Sequence, residues 1–263
     1  MKDRVIVITG ASAGIGAALA RLVSSKGARV VLVARREEAL RTVASSCAGE
    51  TLVIAADVTV RADVERARDA AMARFGRIDV WVNNAGRGIS RMPSELTDAD
   101  LDEMFLVNVK SALYGMQAVL PHLEARGDGQ VINVSSLLGR VPMATFRSAY
   151  SAAKHALNAL TASTRCEVRS RAPGVHVTSV HPGIVATEFG SNALHGGVDS
   201  RTMPGAQTAD EVAQVLADAI EHPRADVYTR PEAQGMIVRY YAAEDMGAAE
   251  TQPPFFSARR PGA

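Results

Sequence analysis

Short apolar, β-branched runs recur along the chain with a helix-length stretch between each pair. That alternation constrains the fold more than any other feature. Val5-Ile6-Val7-Ile8 is apolar at every position, as a strand buried on both faces of a parallel sheet must be. Runs of the same kind follow at 30–33, 52–55, 78–82, 131–134 and 175–180, and a further strand is expected at 226–229. The intervening stretches 16–25, 37–46, 64–75, 98–126, 148–170 and 209–221 carry helical patterning. Repeated β-α-β order implies an α/β fold, a doubly wound parallel sheet of about seven strands with helices on both faces and right-handed crossovers. No linker composition occurs before residue 190, so residues 1–247 are expected to form a single domain. A small-residue, polar stretch at about 188–207 reads as a mobile loop, and 248–263, with Pro253-Pro254 and Arg259-Arg260, as an irregular tail.

Composition removes several classes. Lys+Arg 29 against Asp+Glu 28 leaves a net charge of +1, which argues against a nucleic-acid binder working through a broad basic field. Cys47 and Cys166 are the two cysteines; they cannot build a disulfide framework or a four-ligand zinc site, and a reducing cytoplasm suits them. No histidine, cysteine or carboxylate cluster has metal-ligand spacing, so no metal is expected. No apolar run approaches the ~18 residues of a membrane span. The first apolar run stops at Thr9-Gly10 without a small-residue cleavage site and reads as a strand, not a signal peptide.

Between the first strand and first helix lies Thr9-Gly10-Ala11-Ser12-Ala13-Gly14-Ile15-Gly16. Gly10 permits a tight turn. Gly14 and Gly16 remove side chains where backbone must approach a pyrophosphate at a helix N-terminus and where helix packs on strand. The glycines are spaced four and two apart, unlike the common fingerprint, but their place after the first strand favours a Rossmann-type nucleotide site over a purely structural turn.

Further motifs follow in order: Asp57 after the third strand, Asn83-Asn84-Ala85-Gly86 after the fourth, Asn108 in the long helix, Ser135-Ser136 after the fifth, Tyr150-x-x-x-Lys154, and Pro182-Gly183-Ile184-Val185-Ala186-Thr187. With them the chain resembles the short-chain dehydrogenases/reductases, in the single-domain branch of about 250 residues. The resemblance runs from about Val5 to Thr187. It implies that Gly10, Ser12, Gly14, Ile15 and Gly16 hold the cofactor with Pro182 and Gly183, and that Asp57 and Val58 hold the adenine. It places Asn84, Ala85 and Gly86 along the adenine-ribose side and sheet-end wall, and Ile184 and Thr187 at the nicotinamide carboxamide. Asn-Asn-Ala-Gly is also a natural strand-ending turn, and both readings hold together.

The cofactor type can be argued from charge. NAD-preferring folds carry an acid about 20 residues past the glycines. Here that region reads Ala34-Arg35-Arg36. Ala34 removes the repulsion a carboxylate would exert on a 2′-phosphate, and Arg35, with Arg36 beside it, can present a planar fork to phosphate oxygens. NADP(H) is the expected cofactor.

Tyr150 and Lys154 stand four apart on one helix, on the same face. A tyrosine titrates near 10, and bringing it to about 7 requires about 4 kcal/mol. One positive charge at about 4 Å in an effective dielectric near 20 supplies about that much, while desolvation opposes it. The resemblance makes Tyr150 the general acid/base, Lys154 its electrostatic partner and a ribose ligand, Ser136 of Ser-x-x-Gly139 the holder of the substrate oxygen, and Asn108 the holder of a water linking Lys154 to solvent. His181, before Pro182, reads as a packed residue.

The expected reaction is hydride transfer between NADP(H) and a carbonyl or secondary alcohol. The substrate is expected to be a largely apolar ketone or aldehyde, under a loop at about 188–207. Val141, Met143, Phe146, Phe189, Leu194 and Met203 give the pocket an apolar tendency, or are ordinary loop packing. Arg87, Arg91, Arg140 and Arg147 lie at the carboxyl edge of the sheet, solvated or greeting an anionic substrate or acyl carrier. A β-ketoacyl thioester reductase and a non-catalytic NADP-binding regulatory protein are the alternatives. The C-terminal segment departs from the Gly-rich stretch that closes a tetramer in many relatives, but a homo-oligomer, dimer or tetramer, is still expected.

Overall fold

The computed structural model describes residues 1–255; Arg259 and Arg260 of the expected tail lie outside the described residues. The strands are β1 (Val5–Thr9), β2 (Arg29–Ala34), β3 (Thr51–Ala55), β4 (Val80–Asn83), β5 (Gly129–Val134), β6 (Val175–His181) and β7 (Asp226–Tyr228). They form one sheet in the order β3-β2-β1-β4-β5-β6-β7, with every pairing parallel. The helices are α1 (Gly14–Ser25), α2 (Glu37–Ser45), α3 (Arg61–Phe75), α4 (Asp98–Phe105), α5 (Ser111–Arg126), α6 (Ser148–Arg171), α7 (Ala209–Glu221), α8 (Ala233–Tyr241) and α9 (Met246–Glu250).

Strand alternation sorts the apolar side chains into two cores, because successive residues face opposite sides of a sheet. Ile6, Ile8, Val30, Leu32, Val80 and Val82 pack with α1, α2 and α7 on one face. Val5, Val7, Val31, Val33, Trp81 and Val131 pack with α3, α5 and the end of α6 on the other. The sheet is the doubly wound α/β arrangement that the sequence implies. After β3 at one edge, the chain returns to the far side of β1 and builds β4 to β7 outward, so the order reverses between β1 and β4. Crevices outside the carboxyl ends of strands form at such a reversal.

Two stretches differ from the pattern reading. The helix expected over 98–126 is divided into α4 and α5 by a π-helical turn at Leu106–Lys110, and Asn108 sits in that turn. No helix is anticipated past 221, yet α8 closes over Leu137 and Val141 through Ala233, Ile237 and Tyr240. The first residues of the supposedly irregular tail belong to α9, whose N-terminus is capped by the Asp245 side chain accepting from Ala248 N–H.

Asp79, 5% exposed, ties the β1 entry to the β5 side of the sheet. Its Oδ2 accepts from Val5 N–H at 2.8 Å and its Oδ1 from Arg126 at 3.0 Å and from Arg77. Burial alone would raise its pKa, but these donors win and hold the carboxyl below its ordinary value. Because the folded pKa is depressed, this stabilisation is present above the unfolded carboxyl value and is lost as the pH falls through the folded one. Asp79→Ala is expected to cost about 3 kcal/mol, since it strands a buried N–H and two guanidinium contacts. Urea unfolding at neutral pH checks it; a loss below about 1 kcal/mol would remove the role given to Asp79.

Candidate active site

The glycine string closes the crevice between β1 and β4. Gly10 and Gly14 adopt positive φ, +65° and +54°, which side-chain-bearing residues rarely do. A Cβ on Gly16 would stand 2.4 Å from the Gly10 carbonyl oxygen, and one on Gly10 would stand 2.9 Å from Ala85 Cα. The turn is braced from β4. Thr9 Oγ1 donates to Val82 O and accepts from the N–H groups of Asn84 (3.0 Å) and Ala85 (3.1 Å). Asn84 Nδ2 donates to Thr9 O at 2.9 Å. Asn84 Nδ2 thus braces the turn.

No side chain caps the N-terminus of α1, where Ala13 holds the cap position, so the first-turn N–H groups face the crevice without a protein acceptor from a cap. Thr187 returns over this end, its Cγ2 standing 3.2 Å from where a Gly14 Cβ would lie. A dinucleotide fits this construction: an uncapped helix N-terminus, bare glycine backbone and a following segment that covers it. Ser12 lies in the turn, while Ile15 is half-buried against the core. At the end of β2, Ala34 is buried and Arg35 and Arg36 are exposed. Among the ion pairs of the described residues neither arginine takes part. Asp57 follows β3, its Oδ1 accepting from Thr59 N–H and Oγ1, and Val58 packs partly on the core.

Ser136, Tyr150 and Lys154 come together at the carboxyl end of β5. Ser136 begins a 3₁₀ turn at Leu137–Gly139, and its Oγ accepts from Leu138 N–H at 3.1 Å. That turn is fixed to the chain after β6 by Leu137 N–H donating to Pro182 O at 2.9 Å. Gly183 lies against the same turn, near Leu137 Cδ1, and Ile184 stays 42% exposed. Tyr150 and Lys154 occupy the first turns of α6, buried, with the Lys154 Nζ 5.6 Å from the phenol ring centroid. Lys154 Nζ donates to Val134 O at 2.9 Å. Gly86 lies between this group and Asn108: a Cβ there would meet Asn108 Oδ1 at 2.9 Å and Lys154 Nζ at 3.7 Å. The Asn108 amide exchanges hydrogen bonds with the Arg87 backbone and also donates to Met104 O. A π turn inserts one residue into a helix and often marks a functional site; here it lets Asn108 reach the chain after β4.

Burial pushes the Tyr150 phenol up to about 12, against opposing effects from a hydrogen bond with Ser136 and the charge of Arg147. Lys154 is itself pulled down to about 7 by burial. Lys154 is thus desolvated along with the phenol, and its Nζ donates to the Val134 carbonyl. The charge of Arg147 draws the phenol pKa down against burial.

Around this centre, Phe189 sets its ring edge-on against Tyr150, centroids 5.5 Å apart. Leu194 bridges to Ile89 and packs on the cluster that holds Tyr150. Val141, expected on the pocket wall, is fully buried under α8. Met143 packs partly on the cluster of Leu137, Val141 and α8, and Phe146 carries the Arg147 guanidinium at 5.4 Å from its ring centroid. His181 is packed, as expected, between Arg140 and Asp226 and stacked on Tyr228. Asp226 was not singled out by the sequence, because only the fold brings it to the cationic Arg140 and Arg165 and to the His181 ring. No group of His, Cys, Asp and Glu among the described residues could hold a metal ion, and no helix among them is long and apolar enough to cross a membrane.

Known proteins share this architecture. An oxidoreductase of Bacillus subtilis, the uncharacterized YxnA, is 37% identical over 247 residues, covering 90% of this chain and 68% of its own. A short chain dehydrogenase/reductase of Burkholderia phymatum in complex with NAD superposes with a TM-score of 0.84 at 24% identity, over 91% of this chain and 93% of its own. An alcohol dehydrogenase of the archaeon Thermococcus sibiricus, complexed with 5-hydroxy-NADP, gives 0.76 at 28% identity, over 86% of this chain and 96% of its own. The family model described as short chain dehydrogenase matches residues 4–196, from the start of the sheet through the segment that covers the glycine turn. The chain belongs to the short chain dehydrogenase family, oxidoreductases that use nicotinamide cofactors.

Proposed function

We propose that this oxidoreductase uses NADP(H) to interconvert a carbonyl compound and its alcohol, with Tyr150 as general acid/base. The observation that carries the reading is the buried group of Ser136, Tyr150 and Lys154 at the sheet end beside the glycine turn. Bound NADP(H) supplies or takes the hydride. Ser136 holds the substrate oxygen within reach of the phenol, and Tyr150 gives that oxygen its proton in reduction. A phenol held near 12 stays protonated across the neutral range and so carries the proton that reduction requires. Lys154 holds the nicotinamide ribose, and Asn108 keeps the chain after β4 in place beside it. Assay of NADPH oxidation across neutral ketones, aldehydes and β-ketoacyl thioesters tests the reaction; no oxidation with any carbonyl class would defeat it.

Arg35 and Arg36, exposed and without a carboxylate partner among the described residues, support NADP(H) over NAD(H). The two solved relatives bind NAD and an NADP derivative respectively, so the choice rests on these side chains. NADP(H) is expected to bind at least tenfold tighter, about 1.4 kcal/mol, and Ala34→Asp to reverse or abolish the difference by repelling the 2′-phosphate. Fluorescence titration of both cofactors decides it: equal affinities in the wild type would remove the argument from Ala34 and Arg35.

A further inference from the structure

The four arginines at the carboxyl edge of the sheet have different fates. Arg87 pairs with Glu103 at 3.2 Å, Arg91 with Asp100 at 2.7 Å, and Arg140 with Asp226. Arg147 stands apart: among the described residues no carboxylate pairs with it. Its guanidinium donates through Nη1 to the Ile89 carbonyl at 3.0 Å. Burial lowers its pKa, opposed only by the Tyr150 phenol and by no carboxylate. A desolvated cation is unfavourable unless something pairs it, and a substrate can be that partner.

The position of Arg147 fits such a role. It immediately precedes α6, three residues before Tyr150, close enough for its charge to act on the phenol. Two buried hydroxyls nearby, Ser90 Oγ and Ser148 Oγ, have no hydrogen-bond partner among the described residues. Ser90 Oγ and Arg147 Nη2 lie 2.8 Å and 3.1 Å from one point, the place a Cβ on Gly197 would take. Gly88, after β4, and Gly197, in the loop opposite, leave the guanidinium room: a Cβ on Gly88 would stand 2.6 Å from Nη1. The Gly190 carbonyl oxygen stands 2.5 Å from the same point, so the loop that carries Phe189 packs over the guanidinium and the Ser90 hydroxyl together, and the charge of Arg147 acts on the proton donor, Tyr150.

We propose that Arg147 is the carboxylate-binding residue of the substrate pocket and that the preferred substrates are oxo acids and the matching hydroxy acids. The substrate carbonyl meets Tyr150 and Ser136, and its carboxylate, a few bonds away, pairs with the guanidinium and accepts from the Ser90 hydroxyl. The proposal rests on the carbonyl-reducing reading of the site. In the reaction the C=O π bond is replaced by a C–H bond made with the hydride of NADPH and an O–H bond made with the Tyr150 proton. NADP⁺ is the oxidised product, and the carboxylate is unchanged. A phosphate would also suit a guanidinium, but one cation with neutral hydroxyls matches a monoanion better than a dianion.

The test compares straight-chain oxo acids with their methyl esters, NADPH being the reductant. The wild type is expected to favour acid over ester at least tenfold in kcat/KM, mainly through KM. In Arg147→Gln, which can still donate to the Ile89 carbonyl, that ratio should fall to about one, with the acid losing about 100-fold. Arg147→Lys, which keeps the charge without the fork, should retain part of the preference. A second readout needs no turnover: saturated straight-chain carboxylates should bind the wild type calorimetrically and fail to bind Arg147→Gln, whose melting temperature reports that it is folded. An unchanged acid-to-ester ratio in Arg147→Gln would overturn the proposal and leave Arg147 a strut between loops. A preference for organic phosphates over carboxylates would overturn the substrate class. Reduction of neutral carbonyls without carboxylate binding would refute the proposal and leave the oxidoreductase reading standing. Arg147-dependent carboxylate binding without NADPH oxidation on any carbonyl compound would overturn the reaction while keeping the anion site.

Discussion

Tyr150→Phe is expected to lose about 1,000-fold or more in turnover while keeping its fold and its NADPH affinity. The magnitude follows from general acid–base catalysis, which contributes roughly 10²–10⁴-fold when a positioned group carries the proton. Phenylalanine keeps the ring that packs with Ile89, Met104 and Ala153 and that meets Phe189 edge-on. The only loss is the hydroxyl, with its Ser136 hydrogen bond. Steady-state kinetics with NADPH, beside a cofactor titration and a melting curve, separates the effects. Wild-type turnover in this variant would require another proton donor, and the buried neighbours offer only Ser136 and Lys154 within the same group.

What could be read in advance is what local spacing carries. Glycines four and two apart after an apolar run, and a tyrosine and lysine one helical turn apart, keep their meaning without any knowledge of the rest of the chain. The strand runs did so too, since a parallel strand buried on both faces is apolar throughout. The roles decided by distant partners could not be read. Arg87, Arg91, Arg140 and Arg147 look alike in sequence. They differ only because the fold brings Glu103, Asp100 and Asp226 to the first three and no acid to the fourth. Asn84 is similar: its amide serves the Thr9 turn, 75 residues away in the chain. The π turn at Leu106–Lys110 has no signature in hydrophobic period, and α8 is stabilised by the cluster of Leu137 and Val141 that it covers. The tyrosine–lysine spacing likewise shows that the two side chains meet but not how deeply both are buried, and it is that burial which pulls the lysine down to about 7.

That burial makes Lys154→Met the most informative substitution at the centre. Lys154 is 3% exposed and its ammonium donates to the Val134 carbonyl. Its pKa in the folded protein is about 7 against an ordinary 10.5. Between those values the unfolded chain binds the proton and the folded one does not, so wild-type stability should rise with pH across that interval. Methionine keeps the stem and cannot titrate, so the rise should vanish in the variant, which should be no less stable near pH 7. Cofactor binding has the opposite demand. If Lys154 holds the nicotinamide ribose as an ammonium, NADP(H) binding above about pH 7 must draw a proton onto it, and affinity should weaken as the pH climbs. Calorimetry in buffers of different ionisation enthalpy measures that uptake directly. Lys154→Met should bind NADP(H) at least tenfold more weakly, about 1.4 kcal/mol, and show no uptake above pH 7. Turnover should fall further than affinity, because the variant loses the ribose ligand and the charge that stabilises phenolate during alcohol oxidation. A variant with full cofactor affinity, or a wild type that binds without taking up a proton, would mean that Lys154 meets the cofactor as a neutral amine or not at all. The charge acting on Tyr150 would then be that of Arg147.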